Sequence, residues 1–173
     1  MADCWTKVSG PVLNQGDLLD GILVPILSAD FPISNSDGQT PLTVVTADVI
    51  VLTQSCDLEN EKVPMVLVAR YHTREQFEAK NPNFSQKGKW TLVEQGRIEG
   101  LHILSSPGAE DKTKFIVVDF RDVFSLPIDY AAAHAEKAEH RHRLLSPYLE
   151  HFSQSFGHLF IRVALPEKII ETR

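Results

Sequence analysis

Four stretches of the chain are almost continuously apolar. GDLLDGILVPIL (16–27), LTVVTADVIVLTQ (42–54), VPMVLVARYH (63–72) and FIVVDF (115–120) are rich in Val, Ile and Leu. Runs of this kind, without clean alternation, predict strands buried on both faces. Pro25 inside the first run predicts an edge strand or a bulge, because proline cannot donate to a ladder. SADFPISNSDGQTP (28–41) collects turn formers, including Asp37-Gly38, and predicts a loop or hairpin connection. TREQFEAKN (73–81) predicts a short helix with Thr73 as its cap, Gln76 at the capping-box position and Asn81-Pro82 as its stop. NFSQKGKWTLVEQGRIEGLHILSS (83–106), punctuated by Gly88, Gly96 and Gly100, reads as two short strands, and PGAEDKTK (107–114) as a polar turn.

The pattern then changes. DYAAAHAEKAEHRHR (129–143) has the composition of a helix with little to bury. In SPYLEHFSQSFGHLFIRVAL (146–165), Tyr148, Phe152, Phe156, Leu159, Phe160 and Val163 fall on one helical stripe. Ser146 is its candidate cap, Pro147 suits the first helical position, and Pro166 ends it. Strands followed by helices predict an α+β domain. The expected architecture is a small curved antiparallel β-barrel over residues 1–128, with a C-terminal helical extension over 129–173 packed on it as one structural unit.

With 173 residues and 43% hydrophobic positions, the chain can bury a core without disulfides. Two cysteines, Cys4 and Cys56, make neither a disulfide framework nor a zinc motif. The N-terminus lacks the pattern of a secretory leader, and no apolar run approaches the ~20 residues that span a bilayer. A cytoplasmic protein with no membrane partner is expected. The net charge of −6 is uneven: no Lys or Arg lies between Lys7 and Lys62, while the first 60 residues hold Asp3, Asp17, Asp20, Asp30, Asp37, Asp48, Asp57 and Glu59. Polyanions are bound by bases that displace counterions, so the first third is a poor phosphate-binding surface.

VIVLTQSCDLEN (49–60) runs from a strand into a thiol beside a carboxylate. Cys56 is a nucleophile, a metal ligand or a buried small residue. A Cys56 nucleophile would need a base such as His72 or His102 across the sheet, with Asp57 as a candidate orienting acid. Asp57 and Glu59 oppose formation of a thiolate, which favours the buried reading. His134, His140, His142, His151 and His158 cluster late, but no spacing supplies three or four convergent ligands, so no metal and no cofactor are expected. His140 and His142 converge only if their segment is extended. His151 and His158 share a helix face; with Arg141, Arg143 and Arg162 they form a candidate cationic strip for a phosphate or an acidic partner, diluted by Glu136, Glu139 and Glu150.

NQGDLLDGILVPI, DVIVLTQSCDLEN and KVPMVLVARYHT together resemble the opening strands of the PemK/MazF-like small-barrel ribonuclease toxins, and GLHILSS and FIVVDFRDVFSLP resemble their closing strands. The chain also looks like a bacterial protein group sharing LTQSCDL and RLLSPYLEHFSQSF. The toxin resemblance implies a barrel over roughly residues 14–127. In that family an Arg opening the second strand and a Thr near the end of the next carry RNA cleavage. Here TVVTAD precedes Val49 without an Arg, and Thr73 is the counterpart of the Thr by position alone. The function expected is therefore a macromolecule-binding or regulatory barrel with a protein partner, in a bacterial stress or phage-defence module. One alternative is an endoribonuclease with a rearranged site built from Arg70 or Arg74 with Thr73. The other is a cysteine hydrolase centred on Cys56. The oligomeric state stays open.

Overall fold

The computed structural model describes residues 4–27, 42–60, 62–109, 111 and 113–161. The expected connection at 28–41, together with Arg162, Val163 and Pro166, lies outside the described residues. Five strands form one antiparallel sheet: β2 (Leu18–Ile26), β3 (Thr43–Val51), β4 (Met65–Thr73), β5 (Leu101–Ser105) and β6 (Phe115–Pro127), in the order β2-β3-β4-β6-β5. A second sheet pairs β1 (Trp5–Val8) with β7 (Arg141–Leu144). An isolated bridge from Asp17 to Arg143 links the approach to β2 with β7. The protein is thus α+β and antiparallel; among the described residues the two sheets do not close into a barrel.

The apolar runs form strands because both faces of the sheet are covered. Ile50, Leu52, Ala69, Tyr71, Val118 and Phe120 face one cluster, which Trp5, Leu144 and Phe152 close. Val49, Val51, Val66 and Val68 face the opposite cluster, which is closed by Leu58 and by Ala131 and Ala135. Each fully buried side chain of this size contributes about 1.5–3 kcal/mol. Pro25 lies in β2, an edge strand, as its missing N–H requires. In β2 the register shifts between Leu19 and Ile22, and Gly21 takes φ +67° there. This bulge places Leu18 in the first cluster, while Leu19 and Ile22 enter the second. The register of β6 against β4 also jumps, from Asp119 opposite Arg70 to Val123 opposite Ala69.

Five α-helices occur among the described residues: α1 (Ser55–Glu59), α2 (Arg74–Lys80), α3 (Lys89–Glu94), α4 (Ile128–Lys137) and α5 (Tyr148–Phe160). The α2 capping box forms as expected, with Gln76 N–H donating to Thr73 Oγ1 and Thr73 N–H donating to Gln76 Oε1. In α5, Phe152 is fully buried, and Tyr148, Phe156 and Leu159 pack on the same cluster. Phe160 is 65% exposed, so the apolar stripe is only partly used. Ser146 bonds the Glu150 side chain rather than the helix backbone.

Two elements depart from expectation. The 83–106 stretch holds a 3-10 turn (Pro82–Ser85), α3 and only one strand, β5. Trp90 and Val93 of α3 pack with Phe77, Phe84 and Phe115 in a third cluster, so aromatic burial outweighs the glycine punctuation. The 129–143 stretch is helical only to Lys137; Arg141–Leu144 is a strand whose ends, Arg141 and Leu144, are buried. Its extended form brings the His140 and His142 rings to 5.9 Å.

Candidate functional site

The two arginines of β7 meet the buried Asp17. Arg141 Nε donates to Asp17 Oδ2 at 2.9 Å, and Arg143 Nε and Nη2 donate to Oδ1 and Oδ2 at 2.5 and 2.9 Å. Arg141 also donates to the carbonyls of Gly10 and Val12, and Arg143 Nη2 to that of Val12. Arg141 and Arg143 were expected in an open cationic strip around α5. Instead they lock the 10–17 segment to β7, because a buried carboxylate demands paired charge. Arg162 lies outside the described residues.

His151 and His158 line a cavity of about 590 Å³ beneath α5, together with His102, Gln154 and Ser155. His102 is stacked on Phe120 at 6.0 Å. Burial, and then the neighbouring His151, push its pKa down to about 4, so the ring is neutral at pH 7. Among the described residues no group of three or more His, Cys, Asp or Glu is placed to hold a metal ion.

Cys56 is exposed, so the reading of it as a buried small residue is corrected. It sits in the first turn of α1, with Sγ 3.7 Å from Gln54 Oε1 and 3.8 Å from Asp57 Oδ1. Asp57 pairs with Lys62 at 3.6 Å. Among the described residues no imidazole or guanidinium bonds the sulfur, and His72 lies along β4 rather than beside it. Thr73 Oγ1 is engaged in the α2 cap. Arg74 Nε is held by Glu78 at 2.8 Å, and its guanidinium lies over Phe115.

Arg70 and His72 come together on the face of β4 that also carries Val66 and Val68. They lie between the cluster under α4 and the aromatic cluster under α2 and α3. Asp119, opposite Arg70 in register, is turned to Arg121 and accepts from its Nε and Nη2, both at 2.7 Å. Arg70 is left with Asp122, on the β6 bulge, at 3.2 Å from Nε, and with the Phe124 ring, 5.2 Å below its Cζ. Neither contact aligns a hydrogen bond: Nε and Nη2 of Arg70 are buried without a partner. Arginine cannot relieve this by losing its proton. His72 is half-buried, and burial, then the charges of Lys80 and Arg70, lower its pKa below the usual imidazole value. The pair therefore sets N–H donors without a hydrogen bond beside a largely neutral ring, with the partly exposed Asp122 carboxylate next to them. Sequence reasoning found Arg70 and His72 but missed Asp119, Asp122 and Phe124. The signal available was DFRDVF, where two acids interrupt an apolar strand.

The chain matches no protein-family model, and no curated protein matches it significantly.

Proposed function

We propose that the protein is a non-catalytic, macromolecule-binding module that docks a protein partner on the arm formed by β2 and β3. One observation carries this reading. On one face of the arm Leu23, Leu27, Leu42 and Val44 are 49%, 67%, 50% and 52% exposed. Exposed apolar surface of this kind marks interaction sites. Asp20 and Asp48 stand at the base of the arm, in a stretch without Lys or Arg, so the complementary partner surface is apolar and basic. The engagement of Thr73 and Arg74 in local structure supports a binding role over the toxin-like chemistry. The module's place in a bacterial stress or phage-defence system is part of this proposal and rests on the sequence resemblance to the PemK/MazF-like small barrels alone. The test is cross-linking mass spectrometry of the tagged full chain in its native cells. Cross-links should run from the arm to a partner and vanish in the Leu23→Ser/Val44→Ser double variant; an unchanged cross-link map would refute the reading.

A second reading rests on Arg70 and His72: an endoribonuclease with a rearranged site. His72 would take the proton of a ribose 2′-hydroxyl and return it to the departing 5′-oxygen, the 2′-oxygen would bond to phosphorus as the P–O5′ bond breaks to leave a 2′,3′-cyclic phosphate, and Arg70 would offset the charge of the phosphorane-like transition state. The unpartnered Nε and Nη2 of Arg70 favour it. Incubation with long single-stranded RNA tests it. Cleavage that disappears in Arg70→Ala supports the reading, and an uncut substrate with the wild type removes it.

A further inference from the structure

The α1 helix, with its exposed cysteine, has a second side. Leu58 points inward and, with Leu13, Val63, Ile128 and Ala132, lines a cavity of about 640 Å³ between α1 and α4. Leu13 and Leu58 belong to the buried cluster below, and Val63, Ile128 and Ala132 pack against it, so the floor is continuous core. The size and apolar lining are those of small-molecule sites. The walls are fixed by hydrogen bonds that the cavity itself does not use. The Gly10 and Val12 carbonyls on one wall are gripped by Arg141 and Arg143. The start of α1 is tied down by Gln15, whose backbone N–H donates to Ser55 Oγ at 3.2 Å and whose side chain donates to the Leu52 carbonyl at 2.8 Å. Opposite, Ile128 N–H donates to the Pro64 carbonyl at 3.1 Å, joining the third wall to α4. A cavity held open in this way costs little ordering when a ligand enters.

Its charge is one-sided. Among the described residues, Glu59, at the end of α1, and Asp129, in the first turn of α4, are the charged groups lining it. Lys62, which follows α1, is turned to Asp57 at 3.6 Å. We propose that this cavity binds a small organic cation: an apolar alkyl or aryl body seated on Leu13, Leu58 and Ile128, with an ammonium head between Glu59 and Asp129. This site is independent of the partner-binding arm. An anion of the same shape would meet both carboxylates, and a neutral alcohol would gain only the apolar contact.

The probes are octylammonium, octanoate and 1-octanol, titrated into the full chain and followed by methyl NMR. Octylammonium should shift the methyl signals of Leu13, Leu58 and Val63 saturably and bind about tenfold or more tighter than octanoate. In the Glu59→Gln/Asp129→Asn double variant, both changes being on exposed side chains, the two should converge to within about twofold while the spectrum stays folded. The proposal is overturned if octylammonium does not bind, if octanoate or 1-octanol binds as tightly to the wild type, or if the shifted methyls lie elsewhere. Loss of cross-links from the arm would leave these results untouched, so the two proposals fail separately.

Discussion

Arg141 and Arg70 are both arginines on β-strands beside an aspartate, yet their surroundings differ in kind. Arg141 has 3% of its side chain exposed and donates to Asp17 and to two carbonyls. Arg70 has 17% exposed, pairs with Asp122 through Nε without an aligned bond, and keeps two buried nitrogens without a hydrogen bond. The first is what a folded chain does with a charge it must bury: each of its three nitrogens donates to an acceptor, and the group ties β7 to the 10–17 segment. The second is a group that folding alone does not explain. Buried unsatisfied donors are rare in native proteins, and each calls for an explanation, a bound water or ion as much as a functional role. Satisfaction, rather than burial or charge, separates scaffold from candidate site here.

The largest expected effect tests the satisfied side. Asp17→Ala leaves two guanidiniums without their counter-charge, one of them fully enclosed, and should destabilise the protein by about 3–5 kcal/mol in urea unfolding. A loss below about 1 kcal/mol would break the comparison, since Asp17 would then not be what secures β7.

The second effect concerns a buried group that, unlike arginine, can shed its charge. The pKa of His102 is about 4 in the folded protein and near 6.5 when unfolded, with burial as the main cause and His151 the next. As pH falls, the unfolded chain takes the proton first. His102 therefore contributes full stability above pH 6.5, loses it progressively between 6.5 and 4, and changes little below 4. The loss attributable to it is up to ~3 kcal/mol. His72, whose pKa is also lowered by burial and by Lys80 and Arg70, adds a smaller slope of the same sign. Urea titrations across this range, with His102→Phe as the control that flattens the curve, measure the effect. An equally steep curve in the variant would assign the acid sensitivity elsewhere.

A third effect lies just beyond Arg70 on the same strand. Both halves of the Thr73 capping box are made, at 3.2 and 2.8 Å, so Thr73→Ala should cost about 1 kcal/mol. Thr73→Ser should recover most of it. RNA cleavage that fell in Thr73→Ala but not in Thr73→Ser, with stability restored, would tie the hydroxyl to chemistry as well as to the cap.

What the sequence disclosed follows the range of the interactions involved. The α2 cap was readable because all its partners lie within four residues, and β2, β3, β4 and β6 because apolar runs report burial directly. β7 was not. Its alternation is only four residues long, follows an alanine-rich helix, and has meaning only beside β1 at the other end of the chain. For the same reason Arg141 and Arg143 looked available from the sequence, their acceptor Asp17 lying more than a hundred residues away. Cys56 looked buried because a strand runs up to it; the chain instead turns into α1 at Ser55, which points Leu58 inward and the thiol out. The unsatisfied state of Arg70 had no sequence signature, because it depends on which of two aspartates Arg121 takes.

The smallest change in stability is the one that decides the comparison. Arg70→Met keeps most of the side chain's volume and removes the buried N–H groups. The variant loses a guanidinium–Phe124 contact worth ~0.5–1 kcal/mol. It also loses a half-exposed ion pair to Asp122 worth ~0–1 kcal/mol. Against this, it removes unsatisfied donors that cost about 1–3 kcal/mol. The sum runs from about 1 kcal/mol lower to about 2.5 kcal/mol higher, against a loss of about 3–5 kcal/mol for Asp17→Ala. Inorganic phosphate gives the complementary readout. If the N–H groups of Arg70 are donors held for an anionic oxygen, phosphate should raise the melting temperature of the wild type and leave Arg70→Met where it was. A variant destabilised by several kcal/mol would place Arg70 with Arg141 as scaffold, and the ribonuclease reading would lose the observation on which it stands.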